Sequence, residues 1–363
     1  AYDGTDRLLL ETAQALGGDA TGALDPGALV TIGDRHGALT LGAIAVLGAR
    51  EVRVFQDPLL GERALAANAA RLGLDDGAYE NRPLGASLLT GAKLVLLQLP
   101  RSLAELDEIA QAVAQWASPD VVLLAGGRIK HMTRAMNEVL GRSFGEVSAG
   151  LAQRKSRVLT ARAPRSAEDL GEPRFPVWGR DPELSFAVAA FGATFGGATL
   201  DHGSRLLLRG LDESGWPAAA RIVDLGCGNG ALAVSAALAR PGAGVIATDQ
   251  SAGAVAATRL TAEAAGVADR VDTRRADATE AVPDGWAELI LLNPPFHSGA
   301  AVHAGVAHRL IRSCSRALAP GGELRLVFNS HLGYRPLVER AIGPTRQIVR
   351  DRTFTVLSAI RRR

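Results

Sequence analysis

The stretch NPPF, residues 293–296, follows an apolar run and combines side chains suited to holding a planar ligand. The Asn293 side-chain oxygen and the Pro294 backbone carbonyl could accept hydrogen bonds from both hydrogens of an amino group. Prolines restrict the backbone, so these acceptors would stay in place. Phe296 offers a ring face on which a base can stack, an interaction worth about 1–3 kcal/mol. We therefore predict that Asn293, Pro294, Pro295 and Phe296 form a catalytic site for an exocyclic amine.

The same residues also fit a simpler interpretation, a rigid turn that ends a buried strand with Phe296 in the core. The proposed chemistry needs no metal and no covalent nucleophile, because proximity, orientation and electrostatics can supply the rate. The histidines show no metal-ligand spacing, so no metal is predicted. His297 is left without a task, and Cys227 is interpreted as a small filler.

A second motif, DLGCGNG at residues 224–230, places an acid before three alternate glycines. Glycines at this spacing let the backbone turn tightly and come close to a ligand. The pattern differs from the G-x-G-x-x-G loop that holds a pyrophosphate. An acid in front disfavours phosphate and favours a positively charged ligand, such as an amino acid or a sulfonium. We predict that the ligand is bound by Asp224, Gly226, Gly228 and Gly230.

Two further acids follow the next predicted strands. Asp249 ends the strand VIATD and could accept both hydroxyls of a ribose. Asp277 follows the strand VDTRRA and could bind an adenine edge. Each acid alone is more often a turn residue or a helix cap. Their occurrence at successive strand ends, together with the glycine loop, predicts cofactor binding by Asp249, Asp277 and the nearby Asn293.

The elements that carry these motifs occur twice in the chain. Residues 29–57 and 221–249 each contain a strand, a glycine turn, an alanine-rich helix, a second strand and a closing Asp. The motif strand is predicted at residues 221–225 and its helix at 231–239. Alternating strands and helices predict parallel sheets. We predict two tandem doubly wound Rossmann-like α/β domains, at 1–160 and 183–363, joined by a basic linker at 161–182. The first is degenerate, because QLPR at 98–101 stands in place of NPPF.

Composition and charge restrict the class of protein. The 363 residues are 47% apolar and include two cysteines, which suits a globular protein of a reducing cytoplasm. No apolar run approaches the roughly 20 residues that span a bilayer, so no membrane partner is expected. The net charge is +2, but residues 153–180 carry seven Lys/Arg against three acids. This segment predicts an acidic partner such as RNA, contacted by Arg154, Lys155 and Arg157.

Together these motifs resemble those of the bacterial ribosomal RNA guanine-N2 methyltransferases, built from tandem S-adenosylmethionine-dependent methyltransferase domains. The family's run FSRDGLDxGS reads FGGATLDHGS here, at residues 195–204. Leu200, Asp201, Gly203 and Ser204 match, while the residues after Phe195 differ. The resemblance implies S-adenosylmethionine as cofactor and the exocyclic N2 amine of a guanine in small- or large-subunit rRNA as substrate. It also implies a ribosomal RNA or ribosomal subunit as partner and an N-terminal domain that helps to bind RNA. We expect a monomer.

Three other functions remain open from the sequence. Protein glutamine-N5 methyltransferases use a similar turn, but usually carry Tyr after the prolines and a different N-terminal domain. A DNA adenine methyltransferase would need a target-recognition domain that is not evident. A non-catalytic RNA-binding scaffold describes the first half well, but not the intact motifs of the second half.

Overall fold

The structure is a computed structural model that describes residues 3–16, 25–295 and 301–362, and only the backbone for residues 301–304. The chain forms two compact units, Ala1–Phe175 and Pro176–Arg363. Each unit is built around one seven-stranded sheet.

The first unit contains strands β1 (Leu29–Ile32), β2 (Val52–Phe55), β3 (Tyr79–Asn81), β4 (Leu94–Gln98), β5 (Val122–Arg128), β6 (Phe144–Ala149) and β7 (Ser156–Pro164). It contains helices α1 (Gly4–Ala15), α2 (Ala38–Leu47), α3 (Leu59–Arg71), α4 (Ala86–Leu89), α5 (Leu103–Trp116), α6 (Ala135–Gly141) and α7 (Ala167–Leu170). A short 3-10 turn, Ile129–His131, follows β5.

The second unit contains strands β8 (Val177–Arg180), β9 (Ala187–Ala190), β10 (Arg221–Leu225), β11 (Gly244–Asp249), β12 (Val271–Arg275), β13 (Ala287–Leu292), β14 (Leu318–Asn329), β15 (Thr345–Arg350) and β16 (Phe354–Ile360). It contains helices α8 (His202–Ser214), α9 (Ala231–Ala239), α10 (Ala252–Ala264), α11 (Ala301–Ala317) and α12 (Arg335–Ala341). A 3-10 turn, Ser330–Leu332, follows β14.

Both large sheets have the same topology. The strand orders are β3-β2-β1-β4-β5-β7-β6 and β12-β11-β10-β13-β14-β16-β15. In each sheet six strands run in the same direction, and the seventh, β7 or β16, runs antiparallel to both of its neighbours. The predicted tandem Rossmann-like fold is confirmed. The predicted strand at residues 221–225 and helix at 231–239 also have these bounds in the structure.

Helices cover both faces of the large sheet of the second unit. Successive residues of a strand point to opposite faces, so Ile222 packs in a core with Leu207 of α8 and Leu232 of α9. The next residue, Val223, packs in a second core with Ile311 of α11. Burial on both faces explains why β13, with the sequence AELILL, is a nearly continuous apolar run. The loops that follow these strands therefore meet at one edge of the sheet.

The boundary between the units differs from the prediction. Strand β7 passes through residue 160 and ends at Pro164, paired with both β5 and β6. The segment after it stays with the first unit, because Arg174 forms an ion pair of 2.9 Å with Asp107 on α5. The predicted linker, residues 161–182, therefore overlaps the first unit through Phe175 and strand β8 of the second unit. An antiparallel edge pair lacks the strand–helix alternation that located the other strands.

Candidate active site

A cavity of about 220 Å³ lies at the carboxyl ends of β10, β11 and β13. This edge is where ligands bind in open parallel sheets. The cavity contains six of the residues predicted from the sequence, which are Gly226, Gly228, Asp249, Asp277, Asn293 and Pro295. Three predicted residues are not part of its wall, which are Asp224, Gly230 and the buried Pro294. Phe296 and His297 lie outside the described residues.

The glycines of the loop have two different roles. A Cβ added to Gly226 would meet no atom of the described residues within 4 Å, so the described part of the protein leaves that space open. A Cβ on Gly230 would lie 3.0 Å from the Thr258 Cα. In the first unit Gly37 stands in the same relation to Leu65, with the Cα at 3.1 Å. Gly230 is thus required for packing against α10, whereas Gly226 gives room to a ligand.

Asp224 stabilises the glycine loop from outside the cavity. Its side chain is 1% exposed, and its Oδ2 accepts a hydrogen bond of 2.9 Å from the Ala233 backbone N–H at the start of α9. Burial, with a smaller contribution from the charge of Asp249, raises the pKa of Asp224 to about 7. Through its hydrogen bond, the carboxyl connects the strand to the helix that follows the glycine loop.

Asp224→Asn is expected to stabilise the protein more at about pH 8 than at about pH 5. The folded-state pKa is about 7, above the unfolded value of about 3.9. The wild type therefore loses stability as the pH rises through this window, whereas the amide cannot ionise and still accepts from Ala233. Thermal unfolding of both proteins at the two pH values measures the difference. An equal difference in stability between the two proteins at both pH values would contradict the conclusion that the carboxyl is buried and binds a proton.

Two carboxylates face the cavity and suit a nucleoside carrying a positive charge. The Oδ2 of Asp249 accepts from the Gly228 N–H at 3.2 Å, and its Oδ1 accepts from the Ser251 N–H at 2.9 Å. These bonds hold the acid against the glycine loop. Asp277 forms an ion pair with Arg309 of α11 through its Oδ2, and its backbone N–H donates to Glu280. Open space at Gly226 beside these acids fits S-adenosylmethionine.

The Asn293 amide is oriented by its neighbours. Its Nδ2 donates to Asp201 Oδ2 at 2.5 Å and to Ser204 Oγ at 2.9 Å. A carboxylate can only accept, so it selects the NH2 end of the amide. Asp201 is itself fixed as the N-cap of α8, where it accepts from the Gly203 and Ser204 N–H groups. Within the described chain no group donates to the Asn293 Oδ1, which is left as an acceptor.

Asp201→Asn is expected to lower kcat about 10- to 100-fold with little loss of stability, since Asn is also a good N-cap. The new amide can donate to Asn293, which would then turn its own NH2 towards the substrate amine. A shift in kcat without a matching rise in the Michaelis constant for S-adenosylmethionine would identify the positioning role. Ser204→Ala, which removes only one acceptor, serves as the milder control. Unchanged kcat in Asp201→Asn would contradict the orientation argument.

The first unit retains the scaffold without the acids. Corresponding strand pairs have the same register in both sheets. Counted from these registers, Asp224, Asp249, Asp277 and Asn293 correspond to Thr31, Gln56, Gly85 and Gln98. The acid that closes the first repeat, Asp57, is one residue beyond the strand-end position. Gln98 still donates to an acid on the first helix, Asp6, as Asn293 does to Asp201. The amide–acid pair is thus a feature of the shared fold, whereas the acids that line the cavity are a feature of the second unit.

Several cavity residues were not predicted from the sequence. Phe195 is 49% exposed at the cavity, and Ala278 has a positive φ of 49° next to Asp277. Such a conformation costs a non-glycine residue of order 1–3 kcal/mol and clusters at functional sites. Thr248 and Arg309 also line the cavity. Of these, only Phe195 carried a sequence signal, as the first residue of the run that resembles the family's.

The three predicted RNA-binding residues differ in availability. Arg154 pairs with Glu11 at 2.7 Å, and this bond lowers the pKa of the glutamate. Arg157 is half-buried, with an Nε that has no hydrogen-bond partner among the residues that the structure describes. Lys155 is exposed at the turn into β7. Among the described residues no group of three or more His, Cys, Asp or Glu could hold a metal ion, and none of their helices is long and apolar enough to cross a membrane.

Comparisons with known proteins agree with this geometry. The methyltransferase small domain family matches residues 185–358, and the RLMG N-terminal domain family matches residues 1–165. The ribosomal RNA large subunit methyltransferase G of Streptomyces coelicolor is 33% identical over 310 residues, which is 84% of this chain and 81% of that protein. Its namesake from Pseudomonas aeruginosa is 35% identical over 308 residues, 84% of this chain and 80% of that protein.

A solved structure shares the whole fold. The T. thermophilus 16S rRNA N2-guanine methyltransferase, in complex with AdoMet and guanosine, covers 100% of this chain and 93% of its own at a TM-score of 0.77 and 20% identity. The fold and the site define a class I S-adenosylmethionine-dependent methyltransferase, so the predicted enzyme class and cofactor are confirmed. More particularly, the chain belongs to the ribosomal RNA large subunit methyltransferase G family.

Proposed function

We propose that this protein transfers a methyl group from S-adenosylmethionine to the exocyclic N2 amine of a guanine in large-subunit ribosomal RNA. The observation that carries the proposal is the orientation of Asn293, whose Nδ2 is held by Asp201 and Ser204. This leaves an amide oxygen as acceptor at the cavity, which suits an amine substrate. The relatives named as large-subunit rRNA methyltransferases support the choice of RNA.

The residues of the turn would activate the amine. The lone pair of a guanine N2 is delocalised into the ring, so the amine is a poor nucleophile. Acceptance of its two hydrogens by the Asn293 Oδ1 and the Pro294 carbonyl would draw the nitrogen towards a tetrahedral geometry and aim its lone pair. When bound, S-adenosylmethionine would supply the electrophilic methyl group as its S–CH3 bond breaks, and the methylated amine would release one proton to solvent. The base must be unpaired or leave its stack to reach this edge, and Phe296 would stack on it.

The cofactor would be held by fewer residues than the sequence predicted. We assign the ribose hydroxyls to Asp249 and the adenine side to Asp277, whose second oxygen is not used by Arg309. The open backbone at Gly226 and Gly228 would accommodate the methionine part. Asp224 and Gly230 would act from outside the cavity, by fixing the start of α9.

The alternative functions receive less support. Glutamine methylation of a protein would use the same turn, but the relatives that cover most of the chain are named as RNA enzymes. A non-catalytic role fits the first unit alone, where Thr31, Gln56 and Gly85 replace the three acids. We further propose that the protein acts as a monomer in the cytoplasm, where its RNA substrate is found.

The experiment is transfer of labelled methyl groups to ribosomal components from a strain lacking the protein. We expect label in RNA of the large subunit and none in RNA of the small subunit. Offering separated subunits and deproteinised RNA in parallel identifies which form is the substrate. Label found only in protein would contradict the proposed function.

A further inference from the structure

One loop of the second unit connects the cofactor cavity with the Asn293 amide. This loop, which we call the motif loop, spans residues 195–201 and belongs to the run that resembles the family's. Its first residue, Phe195, lines the cavity, and its last residue, Asp201, accepts a hydrogen bond from the Asn293 Nδ2. The position of the motif loop therefore affects both the cofactor cavity and the amide that faces the substrate.

The backbone of the motif loop is not held by its own side chains. Gly196 and Gly197, which follow Phe195, have positive φ angles of 76° and 62°. Glycines lose more conformational freedom on folding than other residues, so an ordered loop with two of them needs contacts from outside. The Thr199 hydroxyl donates to the Gly196 carbonyl at 2.8 Å, but this bond joins two residues of the loop and does not attach it to the rest of the unit.

Asn229 of the glycine loop supplies an attachment. Its Nδ2 donates to the Gly197 carbonyl at 2.9 Å and to the Thr199 carbonyl at 2.8 Å. Its Oδ1 accepts from the Ala231 N–H at 3.2 Å, so both hydrogens and the oxygen of the amide are used. The residue is 8% exposed, and a buried amide is costly to leave without its partners. The amide therefore fixes two carbonyls of the motif loop to the start of α9.

Close backbone contacts restrict the motif loop further. A Cβ added to Gly179 of β8 would lie 1.8 Å from the Ala198 carbonyl oxygen, so only glycine fits there. A Cβ added to Gly228 would lie 3.9 Å from the Phe195 carbonyl oxygen. The motif loop is thus in contact with β8 and with the glycine loop, and a small displacement of its backbone changes both contacts.

The amide at this position is a feature of the second unit. In the first unit His36 precedes Gly37 as Asn229 precedes Gly230. The imidazole of His36 is exposed, whereas Asn229 is buried under the motif loop. Asn229 therefore shares its distribution between the units with the acids that line the cavity.

We propose that Asn229 is a positioning residue, which holds the motif loop so that Asp201 orients the Asn293 amide while Phe195 faces the cofactor. Asn229 is not part of the cavity wall, so it acts through the loop. Because one loop serves both purposes, loss of its attachment weakens cofactor binding and amine activation together. This inference rests on the proposed function, because it takes methylation of an amine beside Asn293 as the reaction.

The test compares two variants of Asn229 with a matched control in the full chain. Asn229→Ala removes the whole amide, whereas Asn229→Asp keeps an oxygen for the Ala231 N–H and removes the donors. Asn68→Ala is the control, since this amide donates to the His36 carbonyl in the corresponding loop of the first unit. The measurements are the dissociation constant for S-adenosylmethionine, kcat with large-subunit RNA and the rate of chymotrypsin cleavage after Phe195. All are made below the melting temperature of each variant.

Both Asn229 variants are expected to bind S-adenosylmethionine about tenfold more weakly, to show a kcat about tenfold lower and to be cleaved faster after Phe195. The net effect of each lost hydrogen bond is about 2- to 10-fold, and two bonds to the loop are lost. Asn68→Ala should match the wild type in all three measurements. A role in capping α9 alone predicts that Asn229→Asp behaves as the wild type, and that result would overturn the inference.

A second comparison places Asn229→Ala in the Asp201→Asn background. If Asn229 acts on the Asn293 amide through Asp201, the added variant should lower kcat little further, while cofactor affinity should still fall about tenfold. The same fractional loss of kcat in both backgrounds would indicate a general structural defect and overturn the inference. Absence of methylation by the wild type would instead refute the proposed function, and cofactor affinity and the cleavage rate would still decide whether Asn229 holds the motif loop.

Discussion

Asn293→Ala is expected to lower kcat by about 10²–10³ while the affinity for S-adenosylmethionine changes less than about threefold. Loss of one preorganised polar group at a reacting centre typically has this effect on kcat. The Asn293 oxygen would contact the reacting amine, whereas the carboxylates assigned to the cofactor stay in place. Steady-state kinetics with ribosomal RNA, together with calorimetric titration of the cofactor, measure the two quantities separately.

The first unit provides a matched control for this variant. Gln98 stands at the same strand end and donates to Asp6 as Asn293 donates to Asp201. Gln98→Ala should destabilise the protein to a similar degree, since it also leaves a part-buried acid without its amide partner. Its kcat should stay at the wild-type level. Comparable losses of kcat in both variants would mean that the Asn293 effect is only structural.

Asp249→Ala is expected to weaken S-adenosylmethionine binding by about 100-fold. A hydrogen bond to a charged group contributes about 1.5–3 kcal/mol, and this carboxylate would accept from the two ribose hydroxyls. The kinetic signature is the opposite of that of Asn293→Ala, because the Michaelis constant for the cofactor should rise and kcat should largely recover at saturation. Titration of the cofactor and its concentration dependence in the transfer assay measure both.

Gln56→Ala, at the equivalent strand end of the first unit, is the control for this second variant. It removes a buried polar side chain from the same position of the fold, where no ligand is assigned. Its cofactor affinity should equal that of the wild type even if its melting temperature falls. If the Asp249→Ala protein bound S-adenosylmethionine normally, this acid would not belong to the cofactor site.

The sequence predicted the parts of the fold that depend on local pattern. The strand at residues 221–225 ends in a glycine turn and the helix at 231–239 follows it at once, so their bounds could be read directly. The antiparallel strands β6 and β7 were missed, because an antiparallel pair has no crossover helix to mark it. This is why the boundary at residue 160 fell inside β7.

The sequence predicted which residues belong to the site better than it predicted the role of each residue. Spacing placed Asp224 and Asp249 at neighbouring strand ends, but it could not tell that the first carboxyl turns down to α9 and the second faces the cavity. Contacts between residues far apart in the sequence could not be predicted either. The Asp277–Arg309 pair joins a strand end to a helix 32 residues later, and the Arg154–Glu11 pair spans 143 residues.

The structure clarifies the role of the amide side chain at the strand end. The sequence comparison of Asn293 with Gln98 suggested that only the second half needed its residue. Both amides in fact hold an acid from the first helix of their unit, so this contact belongs to the fold. What distinguishes the second unit is the cavity beside it, with Asp249 and Asp277 in the wall. The same amide is structural in one unit and available for chemistry in the other.

The most direct measurement is the identity of the methylated nucleoside. Large-subunit RNA that has accepted methyl groups from the purified protein is digested to nucleosides, which are separated and identified by mass spectrometry. The orientation of the Asn293 amide predicts N2-methylguanosine with the wild type and its loss with Asn293→Ala. Methylation at a ring nitrogen of guanine, or at adenine, would contradict the assignment of the exocyclic guanine amine to this site.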